Sequence, residues 1–281
     1  MPSLPNLPPI RTNVAAAKAD LDEFGITRFQ GALSDTELRQ ARTRLLDQAA
    51  GEAANGIAFH DSGAPEVGYL NGPNQRVFNL INKGQIFRDI VMKPVIHELI
   101  GHVLGPELLL SAMNSNIAAP GGVAQGLHRD DSFAPQIIPF PIVANGMWMM
   151  DEFTDENGGT RVVPGSHRDN SFSMASRPTE TVPVTGPAGT LAVFDGRLWH
   201  GTGENRSTGK RAAFFTYFCL PFMRQQENFT TSLAPEVIEQ CSPELLALLG
   251  FQVWRTLGGI NGSRPGVINA RPSTFATELH V

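Results

Sequence analysis

Between residues 108 and 222 the sequence is a succession of short apolar runs: LLLSAMNSNI, VANGMWMMD, TRVVPG, TLAVFDG and RAAFFTYFCL. Each is cut off by Gly, Pro, Asn or Asp. Runs this short suit strands rather than helices, and the turn residues between them force the chain to reverse repeatedly. This stretch therefore has to fold as a β-sandwich or barrel of short strands. No internal repeat divides it.

The flanks read differently. Residues 1 to 12 form an irregular leader with four prolines, followed by a short Ala-rich helix, AAAKADLDEF, and a strand candidate, ITRF. Ser34 and Glu37 make a capping box ahead of Leu38, Ala41, Leu45 and Ala49, which recur at helical spacing. A Gly/Asn-rich loop is predicted over 51–75, a helical pattern over Phe87 to Val103, and a last helix in SPELLALLGF, before a Gly/Asn/Pro-rich tail that contains His280. The expected architecture is one domain, residues 1–281, mainly β with flanking helices. A mainly helical N-terminal layer (1–107) packs on an all-β core (108–222), and a C-terminal helix and tail (223–281) close one side.

Composition narrows the partner. The net charge of −5 comes without a clustered Lys/Arg face, which removes the footprint that nucleic acid or an anionic membrane surface needs. The longest apolar run, FFTYFCLPFM, is too short to span a bilayer, and the N-terminus does not read as a signal peptide, so a cytoplasmic location is expected. Two cysteines, Cys219 and Cys241, can build neither a disulfide framework nor a four-thiolate zinc site. A small molecule is the expected partner, and a homodimer remains open.

The segment QGLHRDDSF, residues 125 to 133, places His128 two positions before Asp130. On an extended backbone these two side chains point the same way and Arg129 points elsewhere. His200, after the apolar run LAVF, is a third ligand candidate from a separate strand. Two histidines and one carboxylate are the facial triad of non-haem Fe(II) oxygenases, which leaves three coordination positions open. H-x-D by itself is more often a pair of satisfied polar residues at a strand end. Arg211, eleven residues after His200, shifts the balance, because it shares a strand face with Ala213, Phe215 and Tyr217 and so calls for an anionic partner such as a dicarboxylate.

The segments HRDD at 128–131, FTDENGGTRVVPGSHR at 153–168 and HGTGENRSTGKR at 200–211 resemble the phytanoyl-CoA dioxygenase family of Fe(II)/2-oxoglutarate enzymes. The resemblance extends from about residue 20 to residue 260, and in tone it is similar to the branch that serves secondary metabolism. It implies a double-stranded β-helix core, the jelly roll of cupin-like proteins. It implies further that His128, Asp130 and His200 bind Fe(II) and that Arg211 pairs with the distal carboxylate of 2-oxoglutarate, a task suited to a bidentate guanidinium. Gln125, Thr160, Arg76 and Trp148 match positions around that cosubstrate, although a surface ion pair for Arg76 and a core aromatic for Trp148 are equally open. Arg206 is the second choice for the carboxylate and Asp131 the second choice for the metal.

The activity so implied is oxidation of a hydrophobic small molecule by O2, with 2-oxoglutarate converted to succinate and CO2. Hydroxylation is the default outcome; desaturation, epoxidation or rearrangement are variants. Asp130 argues against the halogenating branch, in which a small residue replaces the carboxylate. Phe133, Met147, Met150 and Phe59 are expected to line the substrate mouth. Three alternatives stay in view: a jelly-roll protein that binds a ligand without oxidising it, a fatty acyl-CoA 2-hydroxylase of the same family, and a metal-dependent isomerase or hydrolase. The remaining histidines are expected to be ordinary. His97 and His102 in HELIGH are five apart, where a helical zinc pair needs four; His167 fits a turn and His60 a loop.

Overall fold

The computed structural model describes residues 5–66, 68–134, 136–169, 178–260 and 262–270, so His280 lies outside the described residues. In chain order the elements are α1 (Val14–Phe24), β1 (Ile26–Phe29), α2 (Asp35–Ala54), β2 (Phe59–Asp61), β3 (Asn74–Arg76), α3 (Gln85–Val91) and α4 (Pro94–Leu104). The β-rich part follows with β4 (Leu109–Ala118), β5 (Val143–Met149), β6 (Arg161–Val162), β7 (Val182–Pro183), β8 (Leu191–Asp195), β9 (His200–Gly201) and β10 (Arg211–Cys219). Three short helices, α5 (Phe229–Ser232), α6 (Pro235–Gln240) and α7 (Pro243–Leu248), end the series. Among the described residues no helix is long and apolar enough to cross a membrane.

The strands form a seven-stranded sheet in the order β1-β8-β5-β10-β4-β3-β2 and a three-stranded sheet in the order β7-β6-β9. All pairings within both are antiparallel. Two such sheets facing each other make the jelly-roll core. Alternation along the strands decides what each face buries. Met147 on β5, Ala192 and Phe194 on β8, and Ala213 on β10 point between the sheets, where they meet Phe153 and Val162. Their neighbours Trp148, Val193 and Phe214 point the other way into a larger cluster with Leu45, Phe87 and Ile100 from the helices. Phe214 is held there edge-on by Phe87, with centroids 5.6 Å apart, and stacked on Trp148 at 5.9 Å.

The helical layer departs from the sequence reading at definite points. The Ser34–Glu37 capping box is present, but α2 runs on to Ala54, into the stretch read as loop. The rest of that stretch holds β2 and β3, so His60 is a strand residue paired with Gln75. The single helix read over Phe87 to Val103 is two, because Pro94 has no N–H to give and keeps Lys93 extended (φ −65°, ψ 133°). With β1 on one edge and β3 and β2 on the other, the first 107 residues also supply three of the strands of the large sheet.

Candidate active site

The metal-ligand candidates converge because of main-chain pairing. His128 and His200 form an isolated antiparallel bridge, each N–H donating to the other's carbonyl at 2.9 Å. Asp130 is anchored through its own N–H to the Gly196 carbonyl at 2.7 Å. One ligand atom from each of the three side chains then lies within 4.8 Å of the others. Oδ1 of Asp130 is 3.8 Å from Nε2 of His128 and 3.6 Å from Nε2 of His200. Metal–nitrogen and metal–oxygen bonds of about 2.0–2.2 Å put cis ligands about 3 Å apart, so each histidine nitrogen needs to close on Asp130 Oδ1 by somewhat less than about 1 Å to hold an ion.

The tautomers suit a metal. Nδ1 of His128 lies 3.0 Å from the Gly126 carbonyl and Nδ1 of His200 lies 2.9 Å from the Leu198 carbonyl. A carbonyl only accepts, so both Nδ1 atoms carry the proton and both Nε2 lone pairs face the shared point. Burial lowers the pKa of His200 to about 4 against the opposing pull of the Leu198 carbonyl. It also lowers that of His128, with His200 as the next cause. Burial raises Asp130 to about 6, opposed by His128 and Asn145. Two neutral imidazoles and a carboxylate short of a counter-charge are a donor set that a divalent cation completes.

These groups open into a cavity of about 140 Å³. Gln125, Thr160 and Arg76 line it, as the resemblance implied. Gln125 accepts through Oε1 from the Thr202 hydroxyl at 3.3 Å, and Arg76 is both a lining residue and paired, its Nε 2.8 Å from Asp61 Oδ2. Thr160 reaches the cavity because the preceding glycines let the loop close up: Gly158 has φ +80°, and a Cβ there would lie 2.9 Å from the Gly203 carbonyl oxygen.

Arg211 is 1% exposed and starts β10 on the face that carries Phe215 and Tyr217, both of which line the cavity. Its Nη2 donates to the carbonyl of Gly158, and its guanidinium sits 4.2 Å from the centre of the Phe153 ring. Nε and Nη1 have no hydrogen-bond partner among the described residues. Burial lowers its pKa to about 9, helped by Arg76 and opposed by Asp151. Arg211 is not itself among the lining residues, but a buried guanidinium with two donors unspent, bonded to Gly158 two positions before the lining residue Thr160, fits a carboxylate ligand. Arg206, by contrast, is solvated beside Asp155 and Glu204. Asp131 is bonded to Arg129, at 3.0 and 2.7 Å, and does not face the metal point.

The other expectations are corrected by the direction of each strand. Trp148 is fully buried on the helix-facing side of β5, where Nε1 donates to Thr216 Oγ1 at 3.2 Å. It is a core aromatic and does not touch the cavity. Met150 packs in the same helix-side cluster and is not at a substrate mouth. Met147 is buried between the sheets, where its Sδ accepts from Thr160 Oγ1 at 3.2 Å, so it backs the wall rather than lining it. Phe133, 55% exposed, and Phe59, 40% exposed, are also absent from the lining. Phe59 stands opposite the lining residue Arg76 in the β2–β3 ladder and packs edge-on against Phe78. His97 bonds the Val91 carbonyl and His102 pairs with Asp22, as befits ordinary helix residues.

Asn114, Asn145, Phe194, Phe215, Tyr217 and Gln226 line the cavity without having been singled out as site residues. A polar residue facing inward from an apolar strand was the available signal for Asn114 and Asn145.

Comparison with known proteins follows the same lines. The phytanoyl-CoA dioxygenase (PhyH) family model matches residues 21–213. A protein named dioxygenase af480 from Aspergillus fumigatus is 34% identical over 247 residues, covering 85% of this chain and 77% of that protein. Among solved structures, EctD from S. alaskensis with bound Fe superposes with a TM-score of 0.61 at 20% identity, covering 74% of this chain and 76% of its own. The non-haem alpha-ketoglutarate-dependent carbocyclase SnoK from nogalamycin biosynthesis superposes with a TM-score of 0.58 at 19% identity, covering 73% of this chain and 83% of its own.

Proposed function

Since the chain belongs to the phytanoyl-CoA dioxygenase family, we propose that it is an Fe(II)- and 2-oxoglutarate-dependent dioxygenase that oxidises a hydrophobic small molecule of secondary metabolism. The observation that carries this reading is the convergence of His128, Asp130 and His200 with both Nε2 atoms turned to Asp130 Oδ1. Bound there, Fe(II) with 2-oxoglutarate would supply the oxidising power drawn from O2, with succinate and CO2 released.

The chain's own residues do the rest. His128, Asp130 and His200 hold the ion. Arg211 holds the far carboxylate of the cosubstrate through one of the donors it leaves unspent, Nε or Nη1, while Gln125, Thr160 and Arg76 surround it. Phe194, packed at 4.9 Å on the His200 ring, and Phe215 keep water from the metal side.

Cavity size separates cosubstrate from substrate. A volume of about 140 Å³ is below the roughly 300–1,000 Å³ of sites that enclose a drug-sized ligand. The substrate therefore rests at the opening with one carbon directed inward, and positioning chooses that carbon. Exposed Phe59, opposite the lining residue Arg76 in the β2–β3 ladder, offers apolar contact beside it. Asn114 and Gln226 add carboxamides whose side chains make no hydrogen bond among the described residues, which favours a substrate bearing a carbonyl or hydroxyl oxygen. A coenzyme A thioester fits less well, because the one cation of the described lining, Arg76, is already paired with Asp61.

The test has two arms. Protein loaded with Fe(II) and 2-oxoglutarate under argon should develop a weak visible charge-transfer band, and a panel of lipophilic natural products should then be scored for succinate release. No band from iron-loaded protein would remove the dioxygenase reading. A band without substrate-stimulated succinate across the panel would leave the cosubstrate assignment and remove the substrate class.

A further inference from the structure

Asp130 is the one metal-ligand candidate whose side chain is not tied down by its own segment. Its backbone is held twice: the N–H donates to Gly196, and the carbonyl accepts from the Tyr217 hydroxyl at 2.8 Å. Neither contact sets the rotation of the carboxylate. The hydrogen bond that does so comes from Asn145, whose Nδ2 donates to Oδ2 of Asp130.

Asn145 is an unexpected residue at its place. It lies mid-strand in β5, 4% exposed, with Phe194 across on β8 and Tyr217 across on β10. Its Oδ1 is buried with no partner among the described residues. An apolar side chain would fill this position at lower cost than an amide using half of its hydrogen-bonding capacity. A carboxylate only accepts, so Nδ2 must be the end that faces Asp130, and the amide orientation is fixed.

We propose that Asn145 is the positioning residue of the metal centre: by occupying Oδ2 it turns Oδ1 of Asp130 toward the two Nε2 atoms before an ion arrives. The proposal rests on the reading of His128, Asp130 and His200 as metal ligands. A carboxylate left untethered would have to be ordered by the ion at the moment of binding, and that cost appears as weaker binding.

The experiment is a titration of the whole protein with Mn(II), followed by electron paramagnetic resonance of the free ion, so that no turnover is needed. Asn145→Leu keeps the approximate shape and removes the donor; its affinity is expected to fall by about ten- to a hundredfold. Asn145→Thr keeps a hydroxyl donor on a β-branched side chain and is expected to recover part of that loss. Asn116→Ala is the control. Asn116 is also buried and faces the same side from β4, but it bonds Thr202 rather than Asp130. It should lower the melting temperature and leave Mn(II) affinity within about twofold. Wild-type affinity in Asn145→Leu, or an equal loss in Asn116→Ala, overturns the positioning role and leaves the metal site standing. Absence of Mn(II) binding by the unmodified protein overturns the site itself and this role with it.

Discussion

His128 and His200 are joined main chain to main chain, N to O at 2.9 Å in both directions, while their side chains face each other with ring centres 4.4 Å apart. The bridge that aligns the two imidazoles does not use the imidazoles. Replacing either ring therefore leaves the scaffold intact. His128→Ala, His200→Ala and Asp130→Ala are each expected to lower divalent-metal affinity by at least about a hundredfold, with melting temperatures within a few degrees of the parent. Metal content after dialysis, measured beside thermal denaturation, checks this. Retained stoichiometric metal in any of the three removes that residue from the ligand set.

Arg211 separates the metal from the cosubstrate. On the proposed reading, one of its unspent donors, Nε or Nη1, meets the far carboxylate of 2-oxoglutarate, a charge-assisted contact of about 1.5–3 kcal/mol. Arg211→Lys keeps the charge and loses the planar guanidinium and its stacking on Phe153. The expected result is a 2-oxoglutarate dissociation constant raised about 10- to 150-fold with metal affinity unchanged. If calorimetry shows both affinities falling together, Arg211 is a structural cation.

The parts of this fold legible in the sequence are those fixed by local chemistry. His128 and Asp130 sit two apart, and that parity predicts a shared direction. Ser34 and Glu37 carry the capping box in their own spacing. Arg211 on the face of Phe215 and Tyr217 follows from the period of a strand. The parts not legible depend on partners distant in sequence. FHD and NQR, the sequences of β2 and β3, are too short to show alternation, and they are strands because the edge of β4 is there to pair with β3. Which face of β5 looks into the cavity cannot be read from VANGMWM, buried throughout, so the sequence leaves Trp148 open between the core and the cosubstrate and gives Asn145 no role.

The core placement of Trp148 is itself testable. Trp148 lies 0% exposed against Phe214 and donates to Thr216, all on the side of the sheet away from the cavity. Trp148→Phe removes ring volume and one hydrogen bond, and a loss of about 1–3 kcal/mol of stability is expected. Binding of 2-oxoglutarate to the metal-loaded protein should stay within about twofold, because no cavity contact is lost. Urea denaturation and calorimetry on the same sample decide the matter: a selective loss of cosubstrate affinity at unchanged stability would return Trp148 to the site.

A pH dependence of stability follows from the start of α2. Glu37 Oε1 lies 2.7 Å from Lys93 Nζ, and Glu37 Oε2 accepts from the Ser34 N–H at 2.8 Å. Lys93, followed by the Ser34 backbone, lowers the Glu37 carboxyl from 4.5 to about 2. The folded state thus binds this proton less tightly than the unfolded chain. The stabilisation is fully present above the unfolded value near 4.5 and is lost as pH falls from there toward 2. Both side chains are partly in water, so the pair contributes no more than about 0.5–1 kcal/mol. Glu37→Gln keeps a capping-box residue and discards the charge. The variant is expected to be less stable than the parent by that amount at pH 7 and to converge with it as pH falls from 4.5 toward 2, as read from urea denaturation at each pH. A gap that does not shrink on acidification would show that the helix cap, rather than the ion pair, carries the effect.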